Sequence, residues 1–269
     1  MKKLSVYTLL LIATVVSLVP FYWMFINATH QSGEIFSVPP NFLPGDSLVD
    51  NYTNLQGNIN ISGVMMNSLI ITVIYTVLSV LFCSMAGYAF AKFRFRGRDQ
   101  IFFLLLLAIM IPSQVTLIPL FQMMVKLQWL NTYQAVILPT LANPFGIYLM
   151  RQNMKAIPDE LLEAARVDGC GEWRIFFTMI LPVMRPALAA LAIFMFMSQW
   201  NNFVWPLLVM SDKSMYTLPV ALSTLVGFTR IDYGQVMLGT TISTLPIMAF
   251  FLLLQRQFIS GLLGGSVKG

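Results

Sequence analysis

Hydrophobic positions in this chain do not alternate with polar ones; they come in long blocks. Runs without Asp, Glu, Lys or Arg cover 4–33, 51–91, 101–125, 127–150, 186–211 and 233–255. A helix crossing a bilayer needs about 20 mostly apolar residues, so each run is long enough. A further run, 214–229, is shorter and contains Pro219 and Gly227, and is not counted as a span. Barrel strands would alternate apolar and polar residues. The stretch "IFFLLLLAIM" shows no alternation, so the blocks are read as helices. The expected cores are 5–27, 67–91, 101–123, 133–151, 187–210 and 237–257. Pro112, Pro119, Pro139 and Pro144 fall inside them. Such prolines predict kinked helices in a bundle whose neighbours satisfy the freed carbonyls. The pattern predicts an all-α membrane protein: one transmembrane domain over 1–269, with six transmembrane helices.

Composition sharpens this. The 269 residues are 57% hydrophobic and 10% charged, where a soluble domain carries about 25% charge. The start, "MKKLSVYTLLLIATVVSLVP", has the basic opening of a signal peptide. Its apolar run of about 23 residues exceeds the 7–15 of a signal's core, and no Ala-x-Ala site follows, so it is expected to remain as the first span. Cys83 and Cys170 have no metal-ligand spacing around them and are read as small unpaired thiols.

Charge decides orientation. With the N-terminus in the cytoplasm, thirteen of the sixteen Lys and Arg fall on the cytoplasmic side, leaving Lys126, Lys213 and Arg230 outside. Cytoplasmic loops are enriched in these residues. Both termini are therefore expected inside, with long outer loops at about 28–66 and 211–236. The net charge of +5 is explained by this topology, with the cations on one face of the membrane, and is not read as a nucleic-acid signal.

Several chemistries lack their residues. His30 is the single histidine, so there is no His-pair metal site, and it is read as an interfacial polar residue. No Gly-Lys dipeptide occurs, so the phosphate-cradling P-loop is missing. No catalytic residue and no metal site is expected on this chain. The six cores hold no Asp, Glu, Lys, Arg or His away from their ends, which disfavours a proton or ion relay.

One polar island interrupts the apolar chain at about 152–186, on the cytoplasmic side. "AIPDELLEAARVDG" reads as a short helix, with Pro158 at its first position, Asp159 and Glu160 in its first turn and Gly169 as its stop. Leu161, Leu162, Ala165 and Val167 supply apolar surface; Glu163, Arg166 and Asp168 supply polar surface. "GEWRIFFTMI" begins a second amphipathic helix, and Pro182 and Pro186 turn the chain back into the membrane. Such a hairpin could lie on lipid headgroups or dock a protein. Its charges nearly cancel, and an anionic leaflet favours a basic face, so mixed charge suits a protein better.

Glu163-Ala164-Ala165, three residues, Gly169, nine residues and "MILP" resemble the EAA loop of ABC importer permeases, usually EAA-x3-G-x9-I-x-LP. Met179 stands where Ile is usual. "PPNFLPG…NY", "WNNFVWPLLV", six spans and the terminal "GSVKG" extend the resemblance along nearly the whole chain, to the carbohydrate-importer, maltose-type second permease branch. The resemblance implies the type I ABC importer permease fold in the inner membrane. It implies that the island is a coupling-helix pair docking an ABC ATPase dimer, through Glu163, Ala164, Ala165, Asp168 and Gly169. ATP and Mg would then sit on that partner, with no cofactor here. It further implies a sister permease forming a heterodimer, an extracytoplasmic solute-binding protein facing 211–236, and a carbohydrate substrate. The C-terminal tail would reach the ATPases as well.

Within the fifth span, Ser198, Gln199, Asn201 and Asn202 flank Trp200. Trp200, Asn201 and Asn202 are candidates for the substrate path, the indole stacking on a sugar ring; the other reading is interhelical packing through Asn. Beside the importer stand two further readings: an autonomous secondary transporter or channel, and a non-transporting membrane scaffold.

Overall fold

The computed structural model describes residues 2–227 and 231–266, with side chains over 3–227 and 231–257. Arg230, Lys268 and the end of the "GSVKG" tail lie outside those residues. Among the described residues every regular element is helical.

The six apolar segments take three forms. The helices Lys2–Ala28, Ile61–Lys92 and Tyr233–Ser266 are continuous. The third segment is a bent pair, Arg98–Ile109 and Ser113–Lys126, turning by 102°. Pro112 is the N-cap of the second half, with ψ 129°, so this proline starts a new helix instead of kinking one. The fourth segment, 133–151, is broken into Tyr133–Ile137, the turn Leu138–Thr140 and Pro144–Lys155. Pro144 opens the last of these, capped by Asn143 Oδ1, which accepts from the Gly146 amide at 3.1 Å. That fits the preference of proline for a helix's first turn. The fifth segment is Arg185–Trp200, a break at Asn201–Phe203, and Val204–Val209.

The chain divides into two compact units, Met1–Asn67 with Tyr216–Pro246, and Ser68–Met215 with Ile247–Gly269. In the first, the loop expected at 28–66 is folded. It carries the helix Leu48–Ile59, whose Asn51 is buried and donates from Nδ2 to the carbonyls of Ala28 and His30, each at 2.9 Å. A buried amide spends its donors in this way because an unsatisfied one is costly. His30 is buried too, with Nδ1 2.9 Å from the Ile26 carbonyl, consistent with a structural polar residue. Asp232 accepts from Ser32 Oγ at 2.7 Å and Gln235 Nε2 at 2.8 Å. Burial pushes its carboxyl up, but bonds from Ser32, Gln235 and the Gly234 and Gln235 amides outweigh that and hold it below the usual carboxylate range.

In the second unit the end of Ile61–Lys92 lies hard against Pro144–Lys155. A Cβ on Gly87 would stand 2.6 Å from Met150 Cβ and 2.9 Å from the Arg151 amide nitrogen, so only glycine fits. Tyr75 donates to the Thr140 carbonyl at 3.3 Å. Arg151 is buried, its guanidinium 3.7 Å above the Phe102 ring and its Nε donating to the Phe90 carbonyl at 3.3 Å.

Candidate functional site

The island forms two helical pieces, Asp159–Val167 and Glu172–Val183. Pro158 lies one residue earlier than expected. Its φ of −58° would suit a helix, but its ψ of 137° makes it the N-cap. Asp159 and Glu160 occupy the first turn as expected, where the helix dipole favours acids. At the other end Gly169 has φ +78°, and the Cys170 amide bonds the Ala165 carbonyl while the Gly169 amide bonds that of Arg166, each at 3.0 Å. This is a Schellman stop, which needs a left-handed residue. The second piece passes through a π-helical stretch, Phe176–Ile180. A bend of 83° separates it from Arg185–Trp200. Pro182 and Pro186 flank that bend, with Met184 at the corner.

A nine-residue helix is marginal by itself; this one is tied to the end of Ile61–Lys92. Lys92 has a side chain only 3% exposed, yet its Nζ reaches the Ile157 carbonyl at 2.5 Å and Asp159 Oδ1 at 2.6 Å. The bond and charge of Lys92 hold the Asp159 carboxyl below its ordinary range. Tyr88 donates to Glu172 Oε2 at 3.1 Å, and Arg166 Nε donates to Glu172 Oε1 at 2.7 Å. Glu172 therefore joins both island helices to the long helix; its bond and charge push Arg166 further up. Leu162, Ala165, Ile175, Phe176 and Ile180 are buried beneath.

The predicted docking residues divide by face. Glu163, Ala164, Asp168 and Gly169 are exposed, and Glu163 makes no hydrogen bond or ion pair within the described residues. Ala165 is buried, since successive helix residues lie about 100° apart, and it seats the helix against the layer beneath while Ala164 faces out. Leu161 and Val167 are 53% and 87% exposed, and with Trp173 at 68% they put apolar surface on the outward side.

The path candidates fare differently. Trp200 is 1% exposed, with its ring stacked on Phe196 at 5.8 Å, and Phe196 stacks in turn on Phe250 at 4.1 Å. In this chain that ring is packed in the interior, as the packing reading has it. Asn201 is exposed but its Nδ2 caps its own helix, donating to the Met197 carbonyl at 2.8 Å. Asn202 is half-buried. The neighbour Gln199, one of the polar residues flanking Trp200 in the sequence, is buried with no hydrogen bond from its Nε2. The sequence does not mark Lys92 and Tyr88 as island anchors, because their partners lie far off along the chain.

Comparison with known proteins places this geometry in a family. Residues 79–263 match the family model described as binding-protein-dependent transport system inner membrane component. The chain is 46% identical over 203 residues to the arabinooligosaccharides transport system permease protein AraQ of Halalkalibacterium halodurans, covering 76% of this chain and 73% of that one. It is 40% identical over 262 residues to the lactose transport system permease protein LacG of Rhizobium radiobacter, covering 97% and 95%. To the sn-glycerol-3-phosphate transport system permease protein UgpE of Yersinia enterocolitica it is 33% identical over 264 residues, covering 95% and 94%. In fold it matches a chain of a bacterial ABC transporter involved in the import of the acidic polysaccharide alginate, with TM-score 0.82, 22% identity and coverage of 95% and 96%. The chain is thus a multi-pass membrane protein with the ABC importer permease fold, and it belongs to the family of inner membrane components of binding-protein-dependent transport systems.

Proposed function

We propose that this chain is one of two permease subunits of an ATP-driven carbohydrate importer and that its island, 152–186, docks a separate ABC ATPase dimer. The observation that carries the docking is the anchoring of the island. Buried Lys92 and Tyr88 fasten it to the long helix Ile61–Lys92, while the side chains of Glu163 and Ala164 are exposed on its outward face. A stiff link of this kind passes a displacement of the docked ATPase into the membrane helices, so ATP-driven closure rocks the permease between access states. In this reading Glu163 pairs with a base on the ATPase, and Ala164, lacking bulk, lets that partner approach. Asp168 rims the contact and Gly169 sets the turn. Nucleotide and Mg belong to the ATPase, and this chain is a non-catalytic subunit. Both termini are cytoplasmic. The sister permease is a different chain, and a solute-binding protein delivers substrate from the outside. Carbohydrate as cargo is supported by relatives named for lactose and arabinooligosaccharides.

Co-reconstitution with sister permease, ATPase and binding protein tests the proposal. Glu163→Lys and Gly169→Asp should leave the permease inserted and assembled but reduce ATP-dependent sugar uptake to background. Normal uptake by both variants would overturn the docking role.

A further inference from the structure

The connection between Ile61–Lys92 and Arg98–Ile109 has a sequence unlike that of the island. It reads "KFRFRGR" over 92–98, alternating bases with aromatic rings and containing no acid. Its five residues between the two helices reach at most about 18 Å even fully extended. Both flanking segments are apolar enough to enter a membrane. The connection is therefore held at the level of the lipid headgroups.

Its cations are not equivalent. Lys92 is spent on Ile157 and Asp159. Arg98 is spent on Asp99, with Nε at 3.0 Å from Oδ1 and Nη2 at 3.3 Å from Oδ2, and its Nη1 donates to the Phe93 carbonyl at 3.5 Å. Asp99 is answered again by Arg151 at 3.7 Å, and the second acid nearby, Asp159, is bonded by Lys92 at 2.6 Å and feels Arg94 only through its charge. Arg94 and Arg96 remain exposed, with no hydrogen bond or ion pair in the described residues. Between them Phe95 is 42% exposed. Arg94, Phe95, Gly97, Arg98, Asp99 and Gln100 line an open cavity of about 430 Å³. Gly97 allows it by turning the chain with φ +84° into the start of Arg98–Ile109, and a helix N-terminus favours negative charge.

We propose that this connection binds the phosphate of an anionic phospholipid, with Arg94 and Arg96 on the headgroup and Phe95 inserted among the upper acyl carbons. The planar guanidinium suits phosphate oxygens, and a phenylalanine between two arginines matches an interface that is charged outside and apolar inside. A docking protein would be better served by mixed charge, as on the island. The site stands whether or not the island docks an ATPase.

The test uses the full-length chain in nanodiscs of phosphatidylcholine carrying a photoactivatable phosphatidylglycerol, with labelled peptides mapped by mass spectrometry. The label is expected on 93–100. Unlabelled phosphatidylglycerol should displace it, while extra phosphatidylcholine and inorganic phosphate should not. Each arginine beside an anionic leaflet is worth about fivefold, so Arg94→Gln with Arg96→Gln should cut labelling of 93–100 by roughly 25-fold. Labelling of other spans stays unchanged, which reports an intact fold. Arg94→Lys with Arg96→Lys should retain most of the label. Equal labelling of the glutamine variant, displacement by inorganic phosphate, or equal competition by phosphatidylcholine would each overturn the site.

Discussion

Lys92→Met is the most informative perturbation of the island, because it removes the anchor while keeping the stem that fills its space. The ammonium makes two bonds of unequal weight. The Ile157 carbonyl accepts at 2.5 Å from a side chain only 3% exposed, and a hydrogen bond to a charged group contributes about 1.5–3 kcal/mol. The Asp159 bond is as short, but that carboxylate is 70% exposed, so solvent screening reduces its share to under about 1 kcal/mol. The variant should therefore cost about 2–3 kcal/mol, felt as local opening of the island and not as global unfolding. Hydrogen–deuterium exchange followed by mass spectrometry reads this directly: amides of 157–170 should exchange about 30-fold faster or more, while those of 65–85 keep their protection. Asp159→Asn should speed the same peptide by fivefold or less. If Lys92→Met left exchange of 157–170 within twofold of the parent, or if both variants had equal effects, the reasoning about the buried anchor would be wrong.

Three further outcomes follow from the same geometry. Gly169→Ala places a β-carbon in open space but in left-handed backbone, so it should destabilise the end of Asp159–Val167 by about 1 kcal/mol; Gly169→Asn should cost less, both read by exchange at 165–170. Gly87→Ala should lower the thermal midpoint in detergent, by about 1–3 kcal/mol of overpacking, because the obstacles at 2.6 and 2.9 Å are Met150 Cβ and backbone. Asp159 has a folded-state pKa lowered first by the Lys92 hydrogen bond, so its contribution is present above the unfolded value of about 3.9 and is lost as pH falls through the lower folded value. Protection of the island, corrected for intrinsic rates, should be flat from pH 8 to 5 and decline only below about pH 4.

Much of this was legible in the sequence, for physical reasons. Bilayer thickness forces long apolar runs, so the spans stand out without any structure. The island is visible because charge is expensive in lipid, and its glycine stop because a left-handed residue ends a helix well. Tertiary choices were not legible. That Lys92 would be spent on Ile157 depends on contacts 65 residues apart, and a basic residue at a span end reads the same whether it meets water, lipid or a carbonyl. Pro112 and Pro144 could kink a helix or begin one, and local sequence does not decide between these. Trp200 in a polar neighbourhood looked like a stacking platform; its burial follows from Phe196 one turn back and from Phe250, which periodicity does not bring together. The division between Ala164 and Ala165 was in principle readable, since neighbours on a helix cannot share a face, but which one faces inward required the packing.

The central claim is that the outward face of the island is where the ATPase sits. Single-cysteine cross-linking in native membranes tests it, with Cys170→Ser removing the half-exposed thiol nearby. Ala164→Cys should be captured by the ATPase in high yield, and Ala165→Cys, in the buried position, hardly at all. No capture at 164, or equal capture at both positions, would contradict the account.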